Sequence, residues 1–241
     1  MVINRMESEI AVIMAAGLGS RMGGLTKSIP KPLLKAGGVP LIETVIAGLE
    51  GRGVGRIYVV TGHLGEQFGY LEKKYPNICL ARNEEYLEKN NISSLKAVGD
   101  VLGSADCFIC EADLYVADKN IFLGEFRHSC YFAKMVRGHS DDWAFETEGS
   151  RITRIKKGGD DAFNMAGISY LTKGDARLIR EGIDKAYRAE GHEKLFWDEI
   201  ADGLLDKIEV HVHEVAEGSV IEVDTARELE ELESRLGKIR L

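Results

Sequence analysis

The sequence predicts an α/β fold: a Rossmann-like, mixed, mostly parallel sheet flanked by helices, with a small antiparallel β insertion. Three observations predict it. Strand-length apolar runs alternate with helix-length amphipathic segments from Glu9 to Tyr115. That rhythm breaks between Ser129 and Leu171 into short alternating stretches joined by a glycine turn. Helices and two late strands then complete the chain.

Taken in order, "EIAVIMAAG" is the first strand and "PLIETVIAGLEGRG" a helix ending at glycine. "RIYVVTGH" is the second strand, "LGEQFGYLEKKYP" a helix stopped by Pro76, and "NICLAR" the third strand. "SSLKAVGDVLG" is a helix for which Ser93 or Ser94 is the expected cap. "DCFICEADLY" is a fourth strand that runs out into acidic residues. "CYFAKMV", "WAFETEGSRITRIKK" and "FNMAGISYL" form the antiparallel insertion. The helices "KGDARLIREGIDKAYRAEG" and "EKLFWDEIADGLL" follow, then the strands "KIEVHVHEV" and "SVIEVD" and the helix "TARELEELESRL". No repeat, low-complexity segment or linker divides them, so residues 1–241 read as one domain with a small inserted lobe at about 126–172.

The 241 residues are 44% apolar and 29% charged, the balance of a globular protein with an ample core. The net charge of −8 argues against a nucleic-acid backbone or an anionic membrane as partner. An anionic substrate therefore requires a local basic site. No apolar run approaches the roughly 18 residues that would span a bilayer. Glu7 and Glu9 interrupt the N-terminal segment before a signal-peptide core builds, and four cysteines do not suggest a disulfide scaffold. Cys107 and Cys110 have metal-like spacing but no second pair. A cytoplasmic location is expected.

The chemistry is expected where strands end, because open α/β sheets bind ligands at their carboxyl edge. "IMAAGLGSRMGG" leaves the first strand through small residues and glycines, which let backbone N–H groups approach phosphate oxygens. Arg21 adds a cationic fork. Met22 stands where the dinucleotide fingerprint needs its third glycine, and Thr26 precedes Lys27 where a P-loop needs glycine, so both of those motifs fail. A tight strand–helix connection is the ordinary alternative. In "KSIPKPLL", Pro30 and Pro32 are expected to hold Lys31 in an extended stretch; a solvated surface lysine is the alternative. "EAD" (Glu111, Asp113) and "EVD" (Glu222, Asp224) each end an apolar strand with two carboxylates on one face, which repel unless a cation sits between them. Mg²⁺ held by one or two carboxylates and substrate phosphates suits that pattern, although "DTAREL" also lets Asp224 cap a helix.

"AAGLGSRM" followed by "KSIPKPLL", with "NEEYLEKNNISSL", "EAD" and "IEVD", resembles the nucleotidyltransferases that make nucleotide-diphosphate sugars and alcohols. "SCYFAKMVRGHSDDWAF", "KLFWDEI" and "EGSVIEVDTARELEELE" are most similar to bacterial choline-phosphate cytidylyltransferases and their aminoethylphosphonate relatives. The chain departs from them in a longer N-terminal lead, Met1 to Ser8. The resemblance implies CTP and Mg²⁺, with Ala15, Ala16, Gly17, Leu18, Gly19, Ser20 and Arg21 around base and triphosphate and Lys31 on phosphate. Asn83, Ser94 and Glu111 complete the candidate nucleotide set. Asp113 and Asp224, with Glu222, are the candidate metal ligands, and Arg21, Lys31 and Asp113 the candidate catalytic residues.

Both tryptophans have acidic neighbours, "DDW" and "FWDE". A quaternary ammonium has no N–H to donate, so aromatic faces and nearby negative charge recognise it. Trp143, Trp197, Asp142, Asp198 and Tyr115 are therefore the candidate acceptor residues, with ordinary packing as the alternative for the tryptophans. His211 and His213 share a strand face but lack an evident third ligand, and His63 lies near the expected site. The expected reaction moves CMP from CTP to phosphocholine, giving CDP-choline and pyrophosphate. Phosphoethanolamine, 2-aminoethylphosphonate or a sugar 1-phosphate as acceptor, a non-catalytic nucleotide sensor, and a nicotinamide-dependent oxidoreductase are the competing readings.

Overall fold

The computed structural model describes residues 9–239. The lead Met1 to Ser8 lies outside the described residues. The elements are β1 (Glu9–Ala15), α1 (Leu41–Arg52), β2 (Arg56–Thr61), α2 (Gly69–Lys74), β3 (Ile78–Arg82) and α3 (Ile92–Val98). They continue as β4 (Asp106–Glu111), β5 (Leu114–Val116), β6 (Ser129–Glu148), β7 (Arg151–Leu171), α4 (Lys173–Ala186) and α5 (Trp197–Asp202). The last are β8 (Val210–Glu214), β9 (Val220–Glu222) and α6 (Ala226–Ile239).

Seven strands form the central sheet in the order β8-β6-β7-β4-β1-β2-β3. Pairing is parallel from β4 through β1 and β2 to β3 and between β8 and β6, and antiparallel where β7 joins β4 and β6. β1 is buried on both faces, which is why it reads as an unbroken apolar run. Its Ala11, Ile13 and Ala15 enter the cluster under α1, while Ile10 and Val12 enter the one shared with α3, α4 and α5. With β4 on one side and β2 on the other, β1 lies at the switch point of the sheet, and the carboxyl ends of β1 and β4 open on one cleft.

The amino end of β1 is locked separately. Arg52, at the end of α1, forms two 2.6 Å hydrogen bonds to the Glu9 carboxylate and donates to the carbonyls of Phe122 and Gly124. Its guanidinium also lies over the rings of Phe108 and Phe126.

Three local expectations change. Asn91, not Ser93 or Ser94, holds the N-cap position of α3; both serines lie inside the helix with buried hydroxyls turned to Asn83. The short insertion strands expected from the sequence merge into two long, bent ones, β6 and β7, whose register shifts near Val136 and Trp143. Their base is part of the central sheet, hydrogen-bonded to β4 and β8. Lys31 begins a 3₁₀ turn, Lys31–Leu33, rather than an extended stretch.

Candidate active site

Beyond Ala15 the chain turns at Gly19, whose φ of 63° favours a residue without a Cβ. A Cβ there would also stand 2.8 Å from that of Lys31. The 3₁₀ turn Ser20–Lys27 follows, and the Thr26 hydroxyl donates back to the Gly19 carbonyl. His63, one of the sequence candidates, braces this loop from β2: its backbone N–H donates to the Ala16 carbonyl and its Nε2 to that of Thr26.

Lys31 is 5% exposed and its ammonium lies between Asp113 Oδ2 (2.5 Å) and Asp224 Oδ1 (2.7 Å). Burial opposes its charge, but the two carboxylates outweigh burial and raise its pKa. Arg21 donates to Asp224 Oδ2 at 2.7 Å and is largely exposed, so it faces the cleft mouth. Thr225, not Asp224, caps α6: the Glu228 N–H donates to its hydroxyl, and its own N–H donates to the Glu228 carboxylate. That capping box leaves the Asp224 carboxylate free for Lys31 and Arg21.

The antiparallel pair β5–β9 brings the two acidic tripeptides together, and the Val223 N–H closes the junction on the Asp113 carbonyl. One carboxylate oxygen each from Asp113, Glu222 and Asp224 lies within 4.8 Å of the other two. Glu222 keeps solvent exposure at its edge of the cleft, but crowding by the surrounding protein, then the charges of Asp113 and Asp224, raise its carboxyl above the ordinary carboxylate range. Burial and the neighbouring Asp113 and Glu222 also drive Glu111 well above the ordinary carboxylate range.

Three adjoining cavities of about 360, 380 and 340 Å³ share Arg21 and make up the cleft. The first is walled by Ala16 to Arg21, Asn83, Ser94 and Glu111, and the second by Ala15, Lys31 and Asp113. The buried Asn83 amide donates to the Ser93 and Ser94 hydroxyls, while its oxygen accepts from the Glu85 N–H. Tyr86, Lys89, Asn90 and Asn91 also line this side. Sequence reasoning did not single them out, although all lie in "NEEYLEKNNISSL", one of the stretches that carried the family resemblance.

The third cavity holds Asp141, Asp142, Trp143, Lys157, Met165, Gly167 and Phe196 beside Glu111, Glu222 and Asp224. Trp197 is not on it. It is 3% exposed and stacks on Tyr131 with centroids 5.5 Å apart. Asp198 is buried beside it and accepts a hydrogen bond from the Tyr131 hydroxyl. Burial pushes Asp198 up to about 7, against hydrogen bonds from Tyr131, its own backbone and Asn91. The first turn of α5 points these two side chains inward and leaves the preceding residue, Phe196, facing Trp143 edge-on at 5.5 Å. Its signal was in "KLFWDE", one residue before the tryptophan. Tyr115 packs with Val223 and Leu232 under α6, away from the cleft.

Cys107 and Cys110 are buried free thiols in β4. His211 does not pair with His213, which packs against Phe126 and Phe132. It lies instead beside His128 and Glu209, with its two ring nitrogens on the Ser150 hydroxyl and the Glu209 carboxylate.

A glycine loop at the switch point of a mostly parallel sheet, facing a lysine and three carboxylates, is the architecture of an enzyme that handles nucleoside triphosphates. The chain belongs to the MobA-like NTP transferase domain family, which it matches over residues 11–138, and is a nucleotidyltransferase. It is 47% identical over 224 residues to the 2-aminoethylphosphonate cytidylyltransferase of Lancefieldella rimae, covering 92% of this chain and 91% of that one. It is 34% identical to the choline-phosphate cytidylyltransferase of Haemophilus influenzae, over 89% of this chain and 91% of that one. The solved CTP:phosphocholine cytidylyltransferase of Streptococcus pneumoniae superposes with a TM-score of 0.88 at 30% identity, covering 95% of this chain and 99% of that one. The resemblance read from the sequence and these relatives agree.

Proposed function

We propose that the protein transfers CMP from CTP to 2-aminoethylphosphonate, releasing pyrophosphate. The observation that carries the reading is Lys31 held between Asp113 and Asp224 beside the glycine loop. The relative at 47% identity favours the phosphonate over the phosphocholine expected from the sequence. Phosphocholine is the second reading, favoured by the relatives at 34% and 30% identity.

The residues fit Mg²⁺. Asp113, Glu222 and Asp224 offer hard oxygen donors, and Asp113 Oδ1 is buried with no hydrogen-bond partner among the described residues. Bound there, the ion would neutralise phosphate charge as it develops. The chain's own residues do the positioning. The backbone from Ala16 to Ser20 receives the nucleotide, and Arg21 and Lys31 hold phosphate oxygens. An acceptor oxygen forms a bond to the α-phosphorus while the bond to the β-phosphate oxygen breaks, and pyrophosphate departs. The acceptor oxygen is already anionic near neutral pH, so no general base is needed. Orientation and charge stabilisation carry the rate.

The test is pyrophosphate release with CTP and Mg²⁺, offering 2-aminoethylphosphonate, phosphoethanolamine, phosphocholine and a sugar 1-phosphate separately. The phosphonate is expected to give the highest kcat/KM. Higher kcat/KM with phosphocholine would establish the second reading, release with the sugar phosphate alone would move the protein to sugar activation, and silence with all four would exclude the reaction.

A further inference from the structure

The third cavity, which brings together the acceptor candidates Asp142 and Trp143, already contains a cation of the protein's own. Lys157 is the cross-strand partner of Trp143, and its ammonium lies 4.2 Å from the Phe196 ring centroid and 5.3 Å from that of Trp143. Asp141 and Asp142 line the same cavity, yet Lys157 makes no ion pair among the described residues. Its ammonium uses the aromatic faces instead.

We infer that Lys157 is a specificity residue: by occupying the Trp143–Phe196 pair it reserves the cavity for acceptors with a primary ammonium and disfavours quaternary ones. This rests on the proposed function. A trimethylammonium group cannot donate a hydrogen bond, so its recognition depends on aromatic faces. Those faces are taken, and a second cation brought against them would be repelled by the first. A primary ammonium has three N–H donors and can be satisfied by carboxylates, which Asp141 and Asp142 supply without displacing Lys157. Glu199 fixes the arrangement from below, since its carboxylate accepts the Phe196 N–H at 2.8 Å and sets that residue at the start of α5.

Phosphoethanolamine and phosphocholine differ only in three N-methyl groups, so their kcat/KM ratio isolates this effect. In Lys157→Met the ratio is expected to move toward phosphocholine by about 10-fold or more, the scale of one cation–π contact, chiefly through KM. Lys157→Arg keeps a cation over the rings and is expected to retain the parent ratio. An unchanged ratio in Lys157→Met, with CTP still raising the melting temperature, would overturn the inference. So would an equal loss with both acceptors, which would assign Lys157 to the acceptor's anionic end. If the parent releases pyrophosphate with none of 2-aminoethylphosphonate, phosphoethanolamine and phosphocholine, the proposed function fails and the inference falls with it. Turnover by the parent with an unmoved ratio in Lys157→Met removes only the role of Lys157.

Discussion

At Lys31 one ammonium is shared by two carboxylates that arrive from residues 113 and 224, and burial leaves it no solvent to replace them. Lys31→Ala or Asp113→Asn is expected to cut turnover at least about 100-fold, the scale of losing one charge-stabilising group. Pyrophosphate release from variants with unchanged circular dichroism checks it, and near-parent rates would remove that residue from the mechanism. Asp198 gives a pH signature outside the cleft. Burial raises its carboxyl from 3.8 to about 7, so the folded state holds that proton more tightly than the unfolded chain. The stability this contributes is complete below about 4 and is lost as pH rises to 7. The melting temperature of Asp198→Asn relative to the parent should therefore climb between pH 4 and 7 and level off above; a flat difference would contradict the assignment. The sequence showed Lys31 and the acids because spacing and strand ends expose such residues. It could not show that Trp197 and Asp198 point inward while Phe196 points out, because the direction of α5 is set by its packing on Tyr131.

Among the elements, β1 separates chemistry from stability by its two ends. Its carboxyl end feeds the glycine loop, whereas its amino end is clamped by Arg52, whose side chain is only 7% exposed. Arg52→Ala would strand the Glu9 carboxylate and two backbone carbonyls, at a cost of about 3 kcal/mol or more. Urea unfolding should show a lower midpoint with an unchanged slope, while kcat for the folded variant stays at the parent value. A loss of kcat with stability preserved would show that the clamp serves the site. Alternating apolar and amphipathic segments made β1 to β4 and their helices legible, because each buries a periodic face. The β6–β7 strands were legible as antiparallel but not as two continuous bent strands, since bulges depend on partners far away in sequence. The Thr225 capping box is written in "TARE", but "DTAREL" offers Asp224 as a cap equally well until Lys31 and Arg21 engage its carboxylate.

For the whole molecule, ligand linkage is the global test of the cleft. CTP with Mg²⁺ at about 100 times Kd should add about 2.7 kcal/mol, a rise of about 5–10 °C in melting temperature for a chain of this size. NADH should give none, and a comparable NADH shift would revive the oxidoreductase reading. No helix among the described residues is long and apolar enough to cross a membrane. The placement of β6 and β7 has an evolutionary consequence. Their base is fastened into the common sheet, while Trp143 and Lys157 ride on the stretch beyond it. Mutation there can alter the cavity around Trp143 while the glycine loop is inherited untouched, so selectivity can drift along one ribbon without disturbing the rest of the cleft.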